Sequence, residues 1–148
     1  MADDVAPIRI RPMAADDYDG VLALWRRTPG VGLGVGDERE AVVASLERNP
    51  GLSLVAVRGE TLVGAVLCGH DGRRGSINHL AVVPQERGHG VGRDLVDRCL
   101  EGLRAAGIGK CNIVVFGDNA EGQAFWRATG WTARDDLQVM QRSIATRD

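Results

Sequence analysis

The chain has 148 residues, 44% hydrophobic and 26% charged, with a formal net charge of −2 at pH 7. That composition fits one soluble globular domain (residues 1–148) with a real core, and it excludes disordered and fibrous classes. It lacks the electropositive footprint of a nucleic-acid binder, and no run approaches the ~20 apolar residues of a membrane span. "MADDVAPIRI" has no secretory pattern, and Cys68, Cys99 and Cys111 lie in apolar runs without CxxC spacing. A cytoplasmic protein with buried free thiols and no metal site is expected.

In chain order, "IRIRPM" alternates apolar and basic residues and predicts a strand. Tyr18, Val21, Leu22 and Trp25 fall at helical spacing, in a helix that must stop before Pro29. "GVGLGVG" (Gly30–Gly36) is too rich in glycine for either element and reads as a mobile loop. Asp37 is expected to cap a second helix, with Glu40 at capping-box distance. Strands "LSLVAVR" and "TLVGAVLCGH" follow, joined near Gly59, and a turn "DGRRG" leads to the strand "SINHLAVVP".

The next helix carries Leu95, Val96, Cys99, Leu100 and Leu103 on one face and ends near Gly107. "CNIVVF" predicts a short buried strand. "GDNAEGQAFWRATG" predicts a helix opened by the pair Asp118 and Glu121 and closed at Gly130. "WTARDDLQVMQRSI" predicts a closing hairpin or bent strand. The order β-α-α-β-β-β-α-β-α-β implies an α/β (α+β) fold, a mixed sheet with helices on both faces.

Gly88, Gly90 and Gly92 cluster where the strand "SINHLAVVP" hands over to a helix. A helix mouth leaves about four N–H groups unpaired at the positive end of the macrodipole, and glycines let an anion approach them. The spacing does not name the anion. A P-loop needs GxxxxGK[ST], and the only lysine is Lys110, far downstream. A Rossmann turn fits poorly, because Arg93 takes the third glycine's place and the strand–turn comes late in the chain.

"QERGHG", directly after "LAVVP", resembles the [QR]-x-x-G-x-[GA] signature of the GNAT N-acetyltransferase superfamily. "DNAEGQAFWRATGW" is similar to that superfamily's later N-x-x-A-x-x-[FL]-[YW]-x-x-x-G-[FWY] helix, and "IRIRPMAADDYDGVLALW" to its first strand and helix. The resemblance covers nearly the whole chain. It implies a mostly antiparallel sheet of six to seven strands, acetyl-CoA as co-substrate, an amine acceptor and a homodimer.

By that resemblance, backbone amides across Arg87, Gly88, His89, Gly90, Val91 and Gly92 would hold the pyrophosphate, with charge from Arg87 and Arg93. Leu80, Ala81 and Val82 would pair with the peptide-like pantetheine arm, and an amide there would stabilise the thioester oxyanion. Asn119, Phe125 and Trp126 would line the other wall. The acid and base of many relatives, a Tyr and a Glu, fall at Trp126 and Val114 here, and neither residue can do that work.

Other relatives take the base from positions matching Ser76 and Asn78, which could hold only a relay water. His79 is the nearest group with a suitable pKa. Strict alternation would put it on the face opposite Asn78, and a bulge would not. Without a base, the site would favour α-amines, about a quarter of which are neutral near pH 7.5, over lysine amines, neutral about once in a thousand. Leu33, Val35 and Asp37 are expected to form a flexible apolar lip whose carboxylate attracts a cationic amine.

Overall fold

The computed structural model describes residues 6–144. Strand β1 (Ile8–Pro12) leads through a 3-10 turn (Ala15–Asp17) into α1 (Tyr18–Arg26) and then α2 (Arg39–Arg48). β2 (Leu54–Arg58), β3 (Thr61–His70) and β4 (Gly75–Val82) follow as an antiparallel run. A second 3-10 turn (Pro84–Glu86) precedes α3 (Val91–Ala105), β5 (Cys111–Asn112) and α4 (Ala120–Ala128). The sheet order is β1-β2-β3-β4-β5, antiparallel except for the parallel pair β4–β5.

The chain divides into two compact units, Met1–Phe116 and Gly117–Asp148. The first holds the sheet and its core. α1 buries Tyr18, Val21, Leu24 and Trp25, so Leu24 takes the inward place expected for Leu22. α3 buries Val91, Leu95, Val96, Cys99 and Leu103. Leu54 through Val57 are buried without interruption, as in a strand covered on both faces.

Two glycines mark where the helices sit on the sheet. A Cβ on Gly75 would lie 2.7 Å from Leu103 Cδ1 of α3, and one on Gly69 would lie 2.7 Å from Asn49 Nδ2 at the end of α2. Gly69 pairs with Ser76, the residue after Gly75, so strand alternation puts α3 and α2 on opposite faces.

Several expectations need correction. The sheet has five strands among the described residues, fewer than six to seven. "CNIVVF" pairs only at Cys111 and Asn112, with Gly75 and Ser76 of β4. Beyond them Val114 and Phe116 are largely exposed and pair with no strand among the described residues. Residues 131–144 form no strand. There Arg134 and Asp136 pair at 2.8 Å in a turn, and Leu137, Val139, Met140 and Ile144 stay exposed.

The caps also differ. Glu38, not Asp37, is the N-cap position of α2, and no side chain caps it. α4 is capped by Asn119, whose side chain accepts from Gly122 N–H at 2.9 Å, in place of Asp118. Cys68 and Cys99 are buried free thiols as expected, whereas Cys111 is only half-buried. Among the described residues no helix is long and apolar enough to cross a membrane.

Candidate functional site

β4 carries one residue more than β3 can match. Leu67 pairs with Asn78 and Ala65 with Ala81, leaving His79 and Leu80 opposite the single residue Val66. This is a β-bulge, and it bends the strand and re-aims its side chains. His79 has φ 53°, the sole non-glycine residue with positive φ among those described. A non-glycine residue in that region costs of order 1–3 kcal/mol and persists only where its surroundings enforce it.

The surroundings here are specific. Trp25 Nε1 of α1 donates to the His79 carbonyl at 3.1 Å, and the two rings meet edge-on with centroids 5.0 Å apart. His79 Nε2 lies 2.9 Å from Asp37 Oδ1. The bulge thus overturns the strict-alternation expectation. His79 turns toward α1 and the segment before α2, on the side where Asn78 already points.

Asp37 is accordingly not a free lure for a cationic amine. Its Oδ2 accepts from Gly34 N–H at 2.8 Å, and its carbonyl accepts from the Tyr18 hydroxyl at 2.6 Å. The glycine-rich loop is anchored by that bond, by Gly36 N–H donating to Glu38 Oε2 at 3.0 Å, and by close packing. A Cβ on Gly32 would sit 2.5 Å from Phe116 Cζ. Of the two apolar residues expected at the lip, Leu33 is 39% exposed and Val35 is fully exposed.

Next to the bulge, β4 and β5 part. They pair only through Gly75–Cys111 and Ser76–Asn112, so β4 has no strand partner on that edge from Ile77 to Val82. Val83 N–H donates to Val63 O across to β3 at 2.9 Å. Alternation therefore turns the amide and carbonyl of Val82 to the open edge. Arg87 Nε donates to that Val82 carbonyl at 3.2 Å, which holds the guanidinium beside the opening.

The open edge runs into the glycine turn. Gly88 and Gly90 have φ 81° and 85°, and a Cβ on either would meet nothing within 4 Å. Gly90 is the N-cap position of α3, which has no side-chain cap. The first helical bond runs from Asp94 N–H to Gly90 O at 2.9 Å. The amides of Val91, Gly92 and Arg93 have no acceptor among the described residues. With the dipole of a 15-residue helix behind them, they can hold an anion. Val91 itself is buried, so it offers only its amide. His89 is exposed, its Nδ1 3.9 Å from Glu86 Oε2, and Arg93 is exposed.

On the α2 side of β4 lies a cavity of about 460 Å³. Its polar lining includes Ser45, Asn49, Ser76, Asn78 and Asn112, with Asp71 and Arg74 from the β3–β4 turn. Asn78 Nδ2 donates to Ser76 Oγ at 3.0 Å. Arg73 and Arg74 N–H both donate to Asp71 Oδ1, at 2.8 and 2.9 Å, which holds that carboxyl below the usual range. A second cavity of similar volume, between Arg27, Arg58 and Glu86, lies away from the bulge.

Asn119, Phe125 and Trp126 belong to the second unit. Asn119 is spent on capping α4, Phe125 and Trp126 meet edge-on at 5.1 Å, and Trp126 meets Trp131 at 5.2 Å. Among the described residues no group of three or more His, Cys, Asp and Glu gathers to hold a metal. Sequence reasoning missed Trp25, Ser45, Asn49 and Asn112. Trp25 carried a signal of core packing only, and the three polar residues carried none.

β4 thus splits from its neighbour beside a glycine-lined helix mouth that can hold an anion. The chain belongs to the Acetyltransferase (GNAT) family, whose pattern matches residues 18–131. It is an acyltransferase of the GNAT type. It is 31% identical over 141 residues to an acetyltransferase of Yersinia pestis (strain Pestoides F), covering 95% of this chain and 99% of that protein. Among solved structures it resembles the PaiA N-acetyltransferase of Thermoplasma acidophilum in complex with coenzyme A. The TM-score is 0.76 at 18% identity, over 87% of this chain and 92% of that one. It also resembles AAC(6')-Iy bound to the bisubstrate analogue CoA-S-monomethyl-acetylneamine. There the TM-score is 0.73 at 15% identity, over 94% and 100%.

Proposed function

We propose that this chain, acting as one domain over residues 1–148, moves the acetyl group of acetyl-CoA to the primary amine of a small acceptor. The amine attacks the thioester directly while both substrates are bound. One observation carries this reading: the unpaired edge of β4, from Ile77 through the bulge to Val82, leads to the uncapped amides at the start of α3.

In this reading Val91, Gly92 and Arg93 amides take the pyrophosphate, with Arg87 and His89 beside it. Leu80, Ala81 and Val82 pair with the pantetheine arm, and an amide of that run donates to the thioester oxygen as charge builds on it. His79 takes the amine's proton as the N–C bond forms. The C–S bond then breaks, and the proton on His79 can pass to the leaving thiolate. Ser76 and Asn78 orient the amine or a water next to it.

The polar cavity of about 460 Å³ beside Asn78 is of the order that small-molecule sites have, and we take it as the acceptor site. The small bisubstrate analogue CoA-S-monomethyl-acetylneamine bound by AAC(6')-Iy is in keeping with the same choice. The proposal includes a cytoplasmic homodimer, which sedimentation measures. The test is release of free CoA from acetyl-CoA across amino acids, polyamines, aminoglycosides and short peptides. Turnover with a small amine supports the reading. Turnover confined to peptides would move the acceptor to a protein N-terminus or lysine. Tight CoA binding without turnover on any amine would leave a CoA-binding module.

A further inference from the structure

His79 and Asp37 are 42 positions apart, come from different elements and meet at 2.9 Å. Both side chains are shielded, at 19% and 16% exposure. From the geometry we infer that Asp37 is a positioning residue for His79, an inference that rests on the proposal that His79 takes the amine's proton.

An ionised carboxylate can only accept, so His79 must present Nε2–H to Asp37. A neutral imidazole then carries its lone pair on Nδ1. Nδ1 has no hydrogen-bond partner among the described residues, so its lone pair is not engaged within the chain. When it takes that proton, the imidazolium forms beside the Asp37 carboxylate, which stabilises it without itself being protonated, as in other base–orienter pairs.

The rest of the surroundings add no competing charge to the ring. α1 presents Trp25 to His79 and the Tyr18 hydroxyl to the Asp37 carbonyl. β3 presents Ala65, Val66 and Leu67 along the bulge. Glu38 is turned to Gly36 N–H, and Arg39 is paired with Asp19 and stacked over the Tyr18 ring.

The other oxygen of Asp37 holds Gly34 N–H, so one carboxylate fixes both the imidazole and the glycine-rich loop. This makes Asp37→Asn the discriminating change. A carboxamide has one acceptor and one donor, so if its oxygen keeps Gly34, its NH₂ faces Nε2 and forces the proton to Nδ1.

The full-length protein is examined by ¹⁵N NMR of the imidazole, and turnover is measured with acetyl-CoA and the amine panel named above. We expect the wild-type His79 to be the Nε2–H tautomer and Asp37→Asn to shift it toward Nδ1–H. Its kcat should fall by about tenfold or more, within the roughly 10²–10⁴ that a positioned base supplies, while the Kd for acetyl-CoA is unchanged. A wild-type Nδ1–H tautomer overturns the inference, and so does Asp37→Asn turnover within twofold of wild type on the same pH limb. If Asp37→Asn fails to fold, the wild-type tautomer decides. His79→Asn separates the two claims. If it is fully active, the base assignment itself fails; if it is inactive while Asp37→Asn is not, only the role of Asp37 fails.

Discussion

The indole N–H of Trp25 donates to the carbonyl of His79 at 3.1 Å, tying helix α1 to the one bulged residue of β4. A bulge frees a carbonyl from the ladder, and a buried carbonyl without a donor costs about 1–3 kcal/mol. Trp25 is fully buried and also packs its ring against the imidazole, so it supplies both the missing bond and the wall that fixes χ angles of His79.

Trp25→Phe keeps a ring and removes the donor. It should lower the melting temperature by roughly 3–8 °C. It should also lower kcat more than it alters acetyl-CoA affinity, because the loosened element carries His79 and not the glycine turn. Calorimetry and steady-state kinetics on the same variant check both.

Gly90→Ala tests the turn. With φ 85° and nothing within 4 Å of the added Cβ, the fold loses only the backbone strain, about 1–2 kcal/mol. The Kd for acetyl-CoA should nevertheless rise by at least about tenfold, as the methyl group stands where a phosphate oxygen meets the amides. Titration calorimetry giving an unchanged Kd would remove the pyrophosphate from this turn.

Much of this was legible in the sequence. The helical spacing of α3, the alternation of β3 and the glycines after β4 follow from local chemistry, and the structure has them where the pattern put them. The bulge was not legible. "INHLAVV" contains no glycine or proline to mark an extra residue, and its positive φ falls on a histidine. The Asp37–His79 pair was hidden for another reason: a contact across 42 positions has no local signature, whereas Asp37 in front of a helical run looks like a cap. The failed strand after Asn112 shows the reverse error. An apolar run predicts a strand only where neighbours exist to pair and cover it.

Asp17 links stability to pH. Arg11 holds its carboxylate through two bonds, 2.8 and 2.9 Å, and the Ala14 N–H adds a third at 2.8 Å. These hydrogen bonds, the arginine's first, hold the Asp17 carboxyl below the usual carboxylate range. A depressed folded-state pKa gives stability that is present above the unfolded value, near 4, and is lost as pH falls through the folded one. The melting temperature should therefore fall below about pH 4, and Asp17→Asn should be less stable at pH 7 but lose less on acidification. Thermal melts from pH 2 to 7 give both slopes.

The most direct test of the central claim is the pH dependence of kcat/KM for two accepted amines of different pKa, with wild type and His79→Asn. Asparagine tolerates the left-handed backbone of residue 79 and cannot take a proton, so the variant isolates the chemistry from the fold. If His79 is the base, both amines should show a common limb set by the enzyme and not by the amine, absent in the variant. Profiles displaced from each other by the difference between the amines' own pKa values, and unchanged in His79→Asn, would contradict it.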